Sequence, residues 1–148
     1  MKLARRPRTW FGDEDVTAEI YLLRALIQTP VITIAQDTPL VEAQRLLVDE
    51  RVPALVVVDD QQTLSGLVTR TDVLRVLLDD ADADVSAAMS AYVFAIPVDS
   101  SIEAAAALIA IENVGQVVVT GRDGELLGLV SAVDIARHVA ARAGYIPA

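Results

Sequence analysis

The chain has 148 residues, 53% of them hydrophobic, a formal charge of −9 and no cysteine. That length and apolar content suffice for one domain with its own core, or for two small units sharing one, without disulfide or metal staples. The lack of cysteine excludes disulfides, thiol catalysis and cysteine-based metal sites, and the acidic balance argues against general nucleic-acid binding, which needs a basic footprint.

Residues 1–12 read as an N-terminal arm whose Lys2, Arg5, Arg6 and Arg8 form the one basic cluster, expected to be solvated. The arm does not have the pattern of a secretory signal, because Trp10-Phe11-Gly12 gives way at once to Asp13-Glu14-Asp15. Residues 13–28 carry Val16, Ile20, Leu23 and Ile27 at helical spacing, which predicts a leading helix docked on the rest. The longest apolar run, Ala104–Ile111, is far short of the roughly 18 residues that span a bilayer, so no membrane contact is expected and a cytoplasmic location is.

From residue 29 onward the chain repeats itself at a constant offset of 62. The offset takes Val31-Ile32-Thr33-Ile34 to Val93-Phe94-Ala95-Ile96, Asp37-Thr38 to Asp99-Ser100, and Val56-Val57 to Val118-Val119. It also takes Gly66-Leu67-Val68 to Gly128-Leu129-Val130, Asp72 to Asp134, and Arg75 to Arg137. Fifteen pairs over about 52 gapless positions are identical, and others exchange one aliphatic for another, as in Leu40/Ile102 and Val73/Ile135; chance does not hold such a register.

Each copy reads β-α-β-β-α. The strands are Val31–Ile34, Leu55–Val58 and Leu64–Val68 in the first, and Val93–Ile96, Val117–Thr120 and Leu126–Val130 in the second. The first helix of each copy ends near Glu50 or Glu112. Pro39 suits a first helical position behind a Thr38 cap, and Ser100 with Glu103 forms a capping-box pattern. Arg122-Asp123-Gly124-Glu125 reads as a tight hairpin turn, and the closing helices begin near Thr71 and Ala132. The boundaries are 29–79 for the first copy, 80–88 for an acidic solvated linker, 89–143 for the second copy and 144–148 for a tail. Each copy has one sheet face to cover and little core of its own. The expected fold is therefore α/β (α+β), two copies packed sheet against sheet about a pseudo-two-fold axis with helices outside.

The third strand of each copy ends in a matched signature: Gly66-Leu-Val-Thr69-Arg70-Thr-Asp72 and Gly128-Leu-Val-Ser131-Ala-Val-Asp134. With the preceding Asp-Thr/Ser and Val-Val segments, this resembles the cystathionine-β-synthase-type (CBS) domain family over residues 27–142. The resemblance implies a CBS pair: a non-catalytic regulatory module that binds AMP, ADP, ATP or S-adenosylmethionine in clefts between its repeats. No catalytic residue, metal site or resident cofactor is expected, and a homodimer is, stacked through Val73, Leu74, Leu77, Ile135 and Val139 and acting on an unidentified regulated protein.

In such a site an ionised Asp72 or Asp134 accepts hydrogen bonds from a ribose diol, while Thr69 or Ser131 donates to a phosphate or ribose oxygen beside a helix N-terminus. The resemblance places the base between residues matching Ile32, Thr33, Ala54, Leu55 and Val56, and between Phe94, Ala95, Gln116, Val117 and Val118. Arg70 and Arg51 make the Thr69/Asp72 site the better expected phosphate binder; Ala132, Val133 and Asn113 stand at the matching region of the second copy. The family's proline in the middle strand is replaced by Val56 and Val118.

A second reading stays open. Thr-x-x-Asp before an apolar run is also a capping box, so both pairs could simply cap their helices, leaving a ligand-free dimerisation or docking scaffold for an enzyme or transporter. Gly66 and Gly128, which capping does not require, favour the binding reading. His138 reads as a surface or interface histidine.

Overall fold

The computed structural model describes residues 22–27 and 31–147. In the first half, β1 (Thr33–Ala35) runs parallel to β2 (Ala54–Val58), and β3 (Leu64–Thr69) runs antiparallel to β2. Strands β4 (Ala95–Pro97), β5 (Gln116–Thr120) and β6 (Leu126–Ser131) repeat that order in a second sheet. The registers agree at the repeat offset: Thr33 lies opposite Val56, and Ala95 opposite Val118. Even the irregularity between Val57 and Val58 recurs between Val119 and Thr120.

Parallel neighbours need a crossover, and helices α1 (Leu40–Asp49) and α4 (Ile102–Glu112) supply it. Helix α2 (Arg70–Asp79) follows β3, α5 (Ala132–Arg142) follows β6, and the short α3 (Val85–Ala88) lies between the halves.

All five residues of β2 are buried, because the strand is covered on both faces. Side chains alternate along a strand, so Leu55 and Val57 join Leu40, Leu47, Val68 and Val73 in a core beneath the helices. Ala54, Val56 and Val58 point the other way, where they meet Leu67 and, from the second half, Val118 and Leu129. The two sheets thus share one apolar layer. This is the sheet-on-sheet arrangement expected from the repeat.

The lead-in to each repeat packs on the opposite repeat. Leu23 is fully buried in the second half's core, and its N–H donates to the Ser100 carbonyl at 3.1 Å. At the same offset of 62, Val85 is fully buried in the first half's core and its N–H donates to the Thr38 carbonyl at 2.8 Å. The bridges Leu22–Ser101 and Asp84–Pro39 complete the correspondence.

This crossing-over corrects one expectation. Asp80 and Asp82 are exposed, but the segment that follows is not a solvated linker, since Ala83 and Val85 are buried and α3 forms there. Of the expected leading helix over 13–28, only residues 22–27 are described, and they carry a 3-10 turn at Leu23–Ala25; the rest, with Val16 and Ile20, lies outside the described residues.

It also moves the helix caps. Pro39, not Thr38, is the cap of α1, without a side-chain bond, and the Leu40 N–H donates to the Ala83 carbonyl at 2.9 Å. In the second half Ser101, not Ser100, caps α4 by accepting from the Ala104 N–H at 3.1 Å. The reason is tertiary: the carbonyls of Thr38 and Ser100 are held by the crossing lead-ins, so each helix starts later.

The helix ends match as well. Arg51 (φ 54°) and Asn113 (φ 53°), one offset apart, both adopt the left-handed conformation after α1 and α4. Asparagine tolerates it, whereas an arginine Cβ is crowded by its own backbone. Arg51→Gly is therefore expected to stabilise the fold by about 1 kcal/mol, raising the melting temperature by roughly 2–4 °C. Thermal unfolding followed by circular dichroism checks it; an unchanged or lower midpoint contradicts the strain at Arg51.

Candidate functional site

The two signatures fold identically. Thr69 ends β3 and caps α2: its hydroxyl oxygen accepts from the Asp72 N–H at 3.2 Å, while Asp72 Oδ2 accepts from the Thr69 N–H at 3.0 Å and from its hydroxyl at 2.8 Å. Ser131 and Asp134 repeat the set at 3.1, 2.8 and 2.8 Å. Both capping boxes foreseen as the plainer reading are therefore present. The cap occupies each hydroxyl and one carboxylate oxygen. At Asp72 the other oxygen, Oδ1, faces Arg75 Nη1 at 3.8 Å.

The remaining signature residues have their own packing roles. The Arg70 Nε donates to the Val52 carbonyl at 3.2 Å, tying the start of α2 to the approach to β2. Gly66 is buried, and a Cβ there would overlap the Ser90 carbonyl oxygen and lie 3.2 Å from its carbon. Close backbone approach thus explains this glycine without a ligand. Gly128 is buried at the equivalent place in β6.

The residues matched to a base-binding wall divide by exposure. Ala54, Leu55, Val56, Val117 and Val118 are buried in the cores or the layer between sheets and present almost no surface. Thr33 and Ala95 are exposed on β1 and β4, and Ile32, Phe94 and Gln116 are half-buried. The carbonyls of Ile32 and Phe94 accept from the N–H groups of Val56 and Val118, at 3.0 and 2.9 Å. Of the proposed wall, these five side chains are the ones a planar ring can touch.

A groove of about 600 Å³ opens beside Asp134. One wall is the face of α5, with Arg137, His138 and Arg142; the other includes Leu26 of the lead-in, and Ile146 and Pro147 of the tail. Sequence reasoning did not assemble this set. Its signal was available, because positions 134, 137, 138, 141 and 142 share one helical face. The contribution of Leu26 and the tail depends on the fold.

The profile of the CBS domain family matches residues 23–79 and again 83–141. The chain belongs to the CBS-domain family. Over 55 residues it is 40% identical to an uncharacterized protein of Methanopyrus kandleri, MK0525, the match covering 37% of this chain and 28% of that protein's length. Its fold is similar to the CBS domain pair of protein MJ0100, solved in complex with 5-methylthioadenosine and S-adenosyl-L-methionine. The TM-score is 0.76 at 23% identity, covering 83% of this chain and 98% of the other. It is also similar to CBSX2 in complex with AMP, with TM-score 0.68 at 22% identity, over 83% and 98% of the two chains.

In this CBS pair the motif helices are not apolar throughout their outer faces. Val73 is fully buried in the first core, and Leu77 and Ile135 are half-buried against the two cores; Leu74 and Val139 are the exposed ones, at 53% and 59%. Val73 therefore cannot serve as a dimer contact: it points from α2 toward the sheet. Among the described residues of the pair, no cluster of three His, Asp or Glu side chains could hold a metal, and no helix is long and apolar enough to cross a membrane.

Proposed function

We propose that this CBS pair is a non-catalytic regulatory sensor that binds an adenine nucleotide or adenosyl ligand in the clefts between its repeats. The observation that carries the reading is the paired geometry: two halves share one apolar layer, and each presents an acidic residue at the same strand-to-helix junction. The adenosyl ligands in two CBS pairs of similar fold lend it support. On this reading Asp72 and Asp134 take the ribose diol, with Thr69, Arg70 and Ser131 near the anionic end. Ile32, Thr33, Phe94, Ala95 and Gln116 flank the base, while Ala54, Leu55, Val56, Val117, Val118, Gly66 and Gly128 shape the cleft from behind. The ligand acts through differential affinity for two arrangements of the repeats, relayed to a cytoplasmic partner protein or within a homodimer.

Thermal melting with adenosine, AMP, ADP, ATP and S-adenosylmethionine tests it. A ligand present at 100 times its dissociation constant stabilises by about 2.7 kcal/mol, which raises the midpoint by roughly 5–10 °C. That rise is expected to disappear in the Asp134→Ala, Asp72→Ala double variant, compared with its own ligand-free midpoint because each substitution also removes a cap. A full response in the double variant would remove both aspartates from the site.

A specific observation favours a second reading, a ligand-free docking scaffold. Both hydroxyls are occupied by caps, while Val41, Val48, Leu74 and Leu78 are exposed on the helices of the first half. Absence of any melting response to the five compounds would select that reading.

A further inference from the structure

The outer surfaces of the two helix pairs differ in relief where the repeat makes them equivalent. On α1 and α2, Val48 and Leu78 are exposed at 65% and 86%, and Leu74 is exposed with them. One offset of 62 later, α4 and α5 carry Ala110, Ala140 and Ala136 at these positions. Larger polar residues give way in the same sense, Gln44 to Ala106 and Arg70 to Ala132. Gln44, Val48, Arg70 and Leu74 line one cleft of about 100 Å³ between α1 and α2, above the buried Leu47 and Val73, so they share a single face. Arg70 is held there by its Nε bond to the Val52 carbonyl at 3.2 Å. Val41, one turn before Gln44, is the exception, since its equivalent is the larger, charged Glu103. The first face is therefore knobbed and carries a cation. The second is flat and carries an anion, and the exposed Val139 beside its alanines keeps it apolar.

We infer that two copies of this chain associate head to tail, the knobbed α1–α2 face of each seated on the flat α4–α5 face of the other. This pairing rests on the homodimer of the sensor reading and adds to it which faces meet. Apolar side chains grouped on a helix pair gain by leaving water, and alanines let a partner helix approach to about 8 Å. Like faces fit worse. Knob on knob sets Leu74 and Arg70 against their own copies with like charges opposed, while flat on flat leaves a gap that forfeits dispersion contact. Head-to-tail pairing fills the flat face and sets the cation-bearing surface against the anion-bearing one. A pair of helices about 15 Å long presents on the order of 300 Å², whereas a stable complex takes about 800 Å² from each partner. One contact is too small. A reciprocal pairing makes it twice about a two-fold axis, approaches that area and closes at two copies.

A chain without cysteine allows the pairing to be tested by placed thiols. Leu74→Cys and Ala136→Cys are made as separate full-length chains and treated with a short bis-maleimide, each alone and then mixed. The mixture is expected to yield a covalent dimer, and neither variant alone. Light scattering on the unmodified chain is expected to give the mass of two copies. Leu74→Ala is expected to weaken dimerisation at least tenfold, because each dimer loses the contact twice. Ala136→Leu is expected to weaken it similarly by raising a knob on the flat face, and combining the two substitutions to recover most of the loss. Cross-linking of Leu74→Cys to itself without the mixed product means that like faces meet; the homodimer then stands and the head-to-tail pairing is wrong. A dimer in which no cross-link forms has its interface elsewhere and also overturns the pairing. A mass of one chain overturns the pairing and the homodimer together, and the melting response to adenosyl compounds then decides the sensor by itself.

Discussion

Leu23→Ala is expected to lower the stability of the fold by about 3 kcal/mol, equivalent to a fall of roughly 10 °C in melting temperature. A surface lead-in residue would lose almost nothing. Leu23, however, is fully buried among Ile96, Ile102, Ile109, Val117 and Val130, residues more than seventy positions away. Truncation leaves a cavity that the rigid sheet cannot close, and it loosens the segment whose N–H bonds the Ser100 carbonyl. Val85→Ala, its equivalent in the first half, is expected to cost about 2 kcal/mol because fewer atoms are removed. Each lead-in ties its own repeat to the other, so both variants are expected to unfold in one transition with an unchanged denaturant slope. Urea unfolding measures both quantities; losses under 1 kcal/mol would mean the lead-ins rest on the cores without holding them.

Gly66→Ala is expected to destabilise by about 2–3 kcal/mol, a large effect for one added methyl group. The neighbour that a Cβ would strike is the Ser90 carbonyl, a backbone group that cannot rotate away. Ser90 and Leu67 exchange two backbone hydrogen bonds, at 3.0 and 2.8 Å, so relief by moving the segment breaks that bridge. Changing the Ser90 side chain should not rescue the variant, because the clash does not involve it. Gly115→Ala, where nothing lies within 4 Å of an added Cβ, is the matched control and is expected to change stability by less than about 0.5 kcal/mol. Equal effects at the two glycines would discount the close approach at Gly66.

These two positions also mark the limit of what a linear reading resolves. The six strands and the four long helices were legible because the 62-residue offset matched each uncertain segment to a second example of itself. The hydroxyl–carboxylate pairs Thr69/Asp72 and Ser131/Asp134 were legible for the same reason, and both capping boxes form as their spacing demands. Val73 was not. It stood among the residues expected at the dimer interface, but α2 turns it into the core with Leu47 and Leu55. Nor was the segment after Asp82, where alternating aspartates suggested solvent but Ala83 and Val85 cover the first half's core. The groove beside Asp134 was half legible: its basic helical face lies in one stretch of chain, whereas Leu26 and Ile146 reach it from opposite ends of the chain.

Apolar periodicity and internal repetition by themselves determined the strands, the long helices, the doubling and the pairing of equivalent acidic residues. These follow from local backbone preference and from the need of each half to cover one sheet face. Only the tertiary structure decided which half each lead-in covers, where α1 and α4 begin, and that Leu26 and the tail close a groove beside Asp134. Those outcomes depend on contacts between residues far apart in the chain, where a distant carbonyl or a neighbouring backbone overrides local preference.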